Sequence, residues 1–183
     1  MFEKLIAYYC GPSLAGIKPA NIASLNKSKT KNIKNEISKF NKQLNKKDIY
    51  IDTLCECSKR ILVIVYRKSV LEKHLSKNES KVFLKKFGYP EKVNVEEYID
   101  FLKKRLTFED FPHEIGIFLG YPVDDIYGYI NNPSGKCLAV GEWKVYNDVE
   151  NAKKLFCRYK NCRCGIIRRL EKGHSLERLF CAG

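Results

Sequence analysis

The chain has 183 residues, with 34 lysines and arginines against 21 carboxylates and a formal net charge of +13. Its 44% apolar and 30% charged residues suit one folded domain over residues 1–183, long enough for a real core. No apolar run nears the roughly 20 residues of a membrane span. The patch Leu5 to Tyr9 is too short, and lacks the basic lead, for a signal peptide. The expectation is a cytoplasmic protein with no membrane partner. There its eight cysteines would be reduced thiols, metal ligands or redox groups, not structural disulfides. The positive charge suits an acidic partner such as nucleic acid, or only a soluble surface. Abundant Lys, Asn and Ile are also what AT-rich coding produces.

In chain order, Leu14 to Leu25 reads as a strand with a defect, because Pro19 cannot donate to a ladder and belongs at an edge or bend. Ile33, Ile37, Phe40 and Leu44 recur at helical spacing, which predicts a lysine-rich helix within 31–47. Asp48 to Leu54 and Arg60 to Tyr66 read as strands joined by a short hairpin loop. The second is continuously apolar, so it belongs at the centre with both faces covered. Ser69 with Glu72 reads as a capping box that opens a helix. Further helices follow around Val82 to Phe87, and from an Asn94 cap through Leu106.

Pro122, Asp124 and Asp125 suit the first turn of another helix, running to about Ile130. Cys137 to Tyr146 reads as the last strand, with a bulge at Gly141 turning Leu138, Val140, Trp143 and Val145 all inward. Asp148 or Asn147 caps a helical segment over 148–180, interrupted at Gly173. The fold class is α+β: a small mixed or largely antiparallel sheet of about three to five strands, packed with about six to seven helices.

Several motifs nearly match a known chemistry. Gly11 to Lys18 has the glycine spacing of a phosphate loop. Its lysine is one place late, and Pro19 stands where a metal-binding hydroxyl is needed. His113-Glu114 opens like a zinc-protease signature, but Ile117 replaces the second histidine. Cys157, Cys162 and Cys164, with Cys181 beyond, could be soft metal ligands, yet their spacing fits neither paired zinc ligands nor a ferredoxin. Incidental thiols are the plainer reading. Cys10 with His113 could form a nucleophile and base. A packed Cys10, and a His113 and Glu114 that cap a helix or pin a turn, stand against that. The lysines of 27–47 and the basic residues of 153–172 could meet phosphates, although a solvated face explains them as well.

The most distinctive stretch is Phe111-Pro-His-Glu-Ile-Gly-Ile-Phe-Leu-Gly-Tyr-Pro122, a buried-looking run closed at both ends by proline. With Cys10 to Ala20, Val65-Tyr66-Arg67, Phe87 to Pro90 and Gly141 to Tyr146, in that order, it resembles the clostridial family DUF3793. The resemblance covers roughly Cys10 to Lys172. It implies a cytoplasmic protein of anaerobic bacteria and brings no established activity and no cofactor.

Three functions remain in play. The first is a small enzyme or anionic-ligand-binding protein whose pocket joins the Cys10 to Lys18 turn to the Phe111 to Pro122 stretch. Cys10, His113 and Glu114 would be catalytic, with Lys18, Arg67, Trp143 and Lys144 holding the ligand. The second is a thiol-based metal or redox protein using Cys157, Cys162, Cys164 and Cys181. The third, ranked last, is a basic nucleic-acid-binding protein.

Overall fold

The computed structural model describes residues 2–30, 32–91, 93–107 and 111–181, the side chain of Cys181 excepted. A three-stranded antiparallel sheet is the centre of the fold. It is built from β1 (Ala20–Asn26), β2 (Ile49–Glu56) and β3 (Arg60–Arg67), in the order β1-β3-β2. The apolar strand β3 is central, as its composition predicts, and both its faces are covered. Ile61, Val63 and Val65 point to one core, and Ile64 and Tyr66 to the other. Pro19 marks the true start of β1, which pairs from Ala20 onto Tyr66 and lies at an edge.

The first core is closed by α1 (Phe2–Leu14), α2 (Ile33–Leu44), α8 (Val149–Glu171) and α9 (Leu176–Cys181). Against the opposite face pack α3 (Lys68–Leu75), α4 (Asn78–Lys86), α5 (Val95–Arg105), the single turn α6 (Ile115–Phe118) and α7 (Val123–Asn131). A two-stranded hairpin, β4 (Ala139–Val140) and β5 (Lys144–Val145), packs on α8 around Trp143, Val145, Ala152 and Tyr159. The class is α+β. Nine α-helices occur among the described residues, more than the sequence predicts, because α1 and α6 were not expected. In α1 the buried positions Phe2, Ile6, Cys10 and Leu14 repeat every fourth residue, a stripe hidden by the neighbouring Leu5, Tyr8 and Tyr9.

Two local expectations are corrected. Ser69 does not cap α3. The helix begins one residue earlier, and the Ser69 N–H and hydroxyl both donate to the Asp48 carboxylate. Cys137 to Tyr146 is not one bulged strand but a tight hairpin, closed by the Gly141 N–H donating to the Trp143 carbonyl at 3.0 Å. A side chain at Gly141 would collide with the Phe156 ring, so only glycine fits at this turn. Leu138 and Val140 are consequently 66% and 74% exposed, and only Trp143 and Val145 turn inward. The Asn94 cap of α5 is present, with its reciprocal bonds to Glu97, and Asp148 caps α8.

Candidate functional site

The proline-closed stretch folds into α6 and two flanking turns. Pro112 and His113 carbonyls accept from Ile115 and Gly116, and the Tyr121 N–H returns to the Gly116 carbonyl at 2.9 Å. Gly120, at φ +71°, makes that return possible. It also lets the backbone press on Pro19, since a β-carbon at Gly120 would lie 2.7 Å from the proline ring. The amino-terminal turn and the central stretch therefore meet, at Lys18-Pro19 and Leu119-Gly120-Tyr121.

Around that junction lie two adjoining concavities. Ile22, Leu119 and Tyr121 line both and form the wall between them. The smaller, about 300 Å³, is mainly apolar, with Phe111, Ile126, Tyr129 and Trp143 in its lining and His113 and Lys144 as its basic groups. Trp143 is fixed by donating its indole N–H to Asp125 at 2.7 Å. Asp125 also accepts from the backbone of Tyr146 and Asn147. The larger, about 510 Å³, is rich in donors: Lys18, Asn21, Lys160, Arg163 and the tyrosines Tyr8 and Tyr9. Glu142 is the carboxylate in its lining.

Lys18 is the unusual group. Its side chain is only 2% exposed, yet it lines the larger concavity. The ammonium lies over the Tyr121 and Tyr159 rings, 5.2 and 5.4 Å from their centroids. Its ion-pair partner Glu142 is 3.9 Å away, beyond hydrogen-bonding reach, and that carboxylate is already gripped by both terminal nitrogens of Arg163. Burial lowers the Lys18 pKa to about 8, although the charge of Glu142 opposes the shift. Asn21 is similarly buried; its side-chain oxygen accepts from the Ser13 N–H.

The remaining residues singled out from sequence fall elsewhere. Cys10 is sealed in the core on one face of the sheet, while α6 packs on the other. The expected pairing of Cys10 with His113 is therefore corrected: the sheet separates them, and burial pushes the thiol pKa up. Glu114 is 1% exposed and takes a 2.7 Å bond from Arg105 Nε, so it pins the α5–α6 corner and lines neither concavity. Tyr89 beside it has its hydroxyl pKa raised by burial and then by the Glu114 charge. Arg67 donates to the Leu14 and Lys47 carbonyls and lies over the Phe180 ring, tying three segments together away from both concavities.

His113, Trp143 and Lys144 do share the smaller concavity. There the His113 ring meets Tyr129 edge-on at 5.0 Å, and the Lys144 ammonium donates to the Pro133 carbonyl. Of the groups expected to converge, Lys18 and His113 thus stand on the two sides of one wall. Asn21, Glu142, Tyr159 and Arg163 were not foreseen. Arg163 lay among basic residues expected to be solvated, and only the placement of α8 against α1 marks it out.

Cys157, Cys162 and Cys164 sit on one continuous helix, which turns Cys162 about 140° from Cys157. Cys162 points toward the Gly11 carbonyl, 3.6 Å away, while Cys157 and Cys164 are exposed. Among the described residues, no group of three or more histidine, cysteine or carboxylate side chains is arranged to hold a metal. The Cys181 side chain lies outside the described residues. No described helix is long and apolar enough to cross a membrane.

Comparison with known proteins adds one match. The model of a family described as a protein of unknown function, DUF3793, matches residues 6–180. No curated protein and no solved structure matches the chain.

Proposed function

The chain belongs to the DUF3793 family, and for this member we propose a cytoplasmic protein that binds a small molecule with an anionic group and a flat apolar part. The anionic group would sit in the larger concavity against Lys18, Asn21 and Arg163. The apolar part would cross the wall at Tyr121 to lie among Trp143, Tyr129 and Phe111.

One observation carries this reading. A buried ammonium faces a cavity while its nearest carboxylate is held by another cation. An under-compensated buried charge is costly, and an anion arriving from solvent would relieve that cost. The size and lining of the two cavities fit the usual small-molecule site, mostly apolar with a few convergent polar groups. If the bound molecule reacts, Lys18 is the group whose pKa, about 8, suits proton transfer near neutral pH.

The test is thermal denaturation of the full chain with a panel of aromatic carboxylates and mononucleotides. A stabilising compound should lose its effect in Lys18→Met and keep it in Cys157→Ser. Equal stabilisation of wild type and Lys18→Met would overturn the assignment.

A further inference from the structure

A separate corner of the molecule, at the start of α2, has features the first site does not explain. The chain leaves β1 at Asn26, makes a turn in which the Thr30 N–H donates to the Asn26 carbonyl, and enters α2 at Ile33. The cap position, Asn32, adopts left-handed backbone with φ 54°, and its side chain makes no capping bond. The first-turn N–H groups of α2 thus gain no partner from the residue that usually supplies one.

A cavity of about 340 Å³ lies at this helix end, lined by Lys27, Thr30, Asn32, Lys34, Asn35 and Glu56 among others. Thr30 is 4% exposed, and its hydroxyl has no hydrogen-bond partner among the described residues. A buried hydroxyl left unpaired costs stability, so an orphan at a cavity wall marks a place where a polar ligand would be welcome.

The charges around the cavity give the sign of that ligand. Lys27 and Lys34 both reach the Glu56 carboxylate, at 2.7 and 2.9 Å. Two cations share one carboxylate, which leaves one positive charge in excess, and the helix end adds its own positive potential. Glu56 holds the two ammonium groups at the rim, where a second anion could share them.

We propose that this corner is a phosphate-binding site. The Lys34 and Asn35 backbone N–H groups and the Thr30 hydroxyl would donate to phosphate oxygens, with Lys27 and Lys34 neutralising the charge. The site is independent of the Lys18 concavity and shares no residue with it.

The experiment follows backbone amide resonances of the full-length protein during titration with inorganic phosphate, and separately with a short DNA duplex. Phosphate should shift the Lys34 and Asn35 amides saturably. Thr30→Val should weaken that binding about ten-fold, by removing a hydrogen bond to a charged group. Lys34→Gln should also weaken it, and Glu56→Gln, which removes the competing carboxylate, should tighten it about three-fold. If the duplex moves the same amides and responds to Thr30→Val, the phosphate recognised is that of a nucleic-acid backbone. If only inorganic phosphate does so, it is a free phosphate group. The proposal fails if neither probe shifts these amides, or if the shifts are the same in Thr30→Val and Lys34→Gln as in wild type.

Discussion

Two buried charges in this molecule are answered differently. Glu114, 1% exposed, receives a 2.7 Å bond from Arg105, and the pair closes a corner between α5 and α6. Lys18, 2% exposed, faces a carboxylate 3.9 Å away that Arg163 already holds. A well-matched pair has its compensation built in and nothing left to offer a ligand. An ill-matched one keeps unused capacity, and here that capacity borders a cavity. The contrast separates a structural clasp from a candidate binding group.

Arg105→Met gives the largest expected effect. It would leave the buried Glu114 carboxylate without its cation and cost about 3 kcal/mol, read from denaturant unfolding. A loss close to zero would mean that Glu114 is not compensated in the way its geometry indicates, and the comparison would collapse. Gly120→Ala comes next. The left-handed backbone and the 2.7 Å approach to Pro19 both oppose a side chain, for an expected loss of about 2 kcal/mol. A tolerated alanine would mean that Tyr121 is not held rigidly against Lys18, so the ammonium would not be trapped as described.

The same contrast explains how far the residues alone could be read. The central strand β3, the stripe of α2 and the Asn94 cap follow from local spacing and local hydrogen bonds, and they were legible. Helix α1 was not, because Leu5, Tyr8 and Tyr9 blur its stripe and Gly11-Pro12 resembles a turn. The hairpin needs a glycine at 141 because the Phe156 ring, fifteen places along the chain, lies where a side chain would be, and no local pattern announces that. At the site, the 111–122 stretch could be nominated by its composition, and Lys18 by the near-match of Gly11 to Lys18 to a phosphate loop and by the family resemblance. Which of the nominated groups met was a matter of which face of the sheet each reached. Cys10 and α6 reached opposite faces, and Arg163 came to Glu142 through the packing of α8.

The pH dependence is the third test. The folded-state pKa of Lys18, about 8, lies below its ordinary 10.5, so between those values the unfolded chain binds more protons than the native one. Stability then gains as pH rises through that window, by roughly 1 kcal/mol from about pH 7 to about pH 9. Other groups titrate there too, so the quantity to follow is the difference between wild type and Lys18→Met. That difference should move in favour of wild type as pH rises. Affinity for an anion at Lys18 should move the opposite way and fall above about pH 8, because the ammonium is being lost. A stability difference that stays flat across the window would place Lys18 in an ordinary, well-solvated or well-paired setting.

The smallest expected change in stability is the most discriminating. Lys18→Met removes a buried cation while leaving Glu142 in the grip of Arg163, so no charge is stranded. A thioether chain of similar length can lie between the Tyr121 and Tyr159 rings, where sulfur–aromatic contact replaces part of the lost cation–π attraction. Near neutral pH the substitution should therefore cost nothing and could gain up to about 1 kcal/mol. Set beside the loss from Arg105→Met, this would show two buried charges of similar exposure with opposite meanings for the fold. A loss as large as that of Arg105→Met would instead make Lys18 a second clasp, its partners would count as sufficient, and the larger concavity would have no reason to attract an anion.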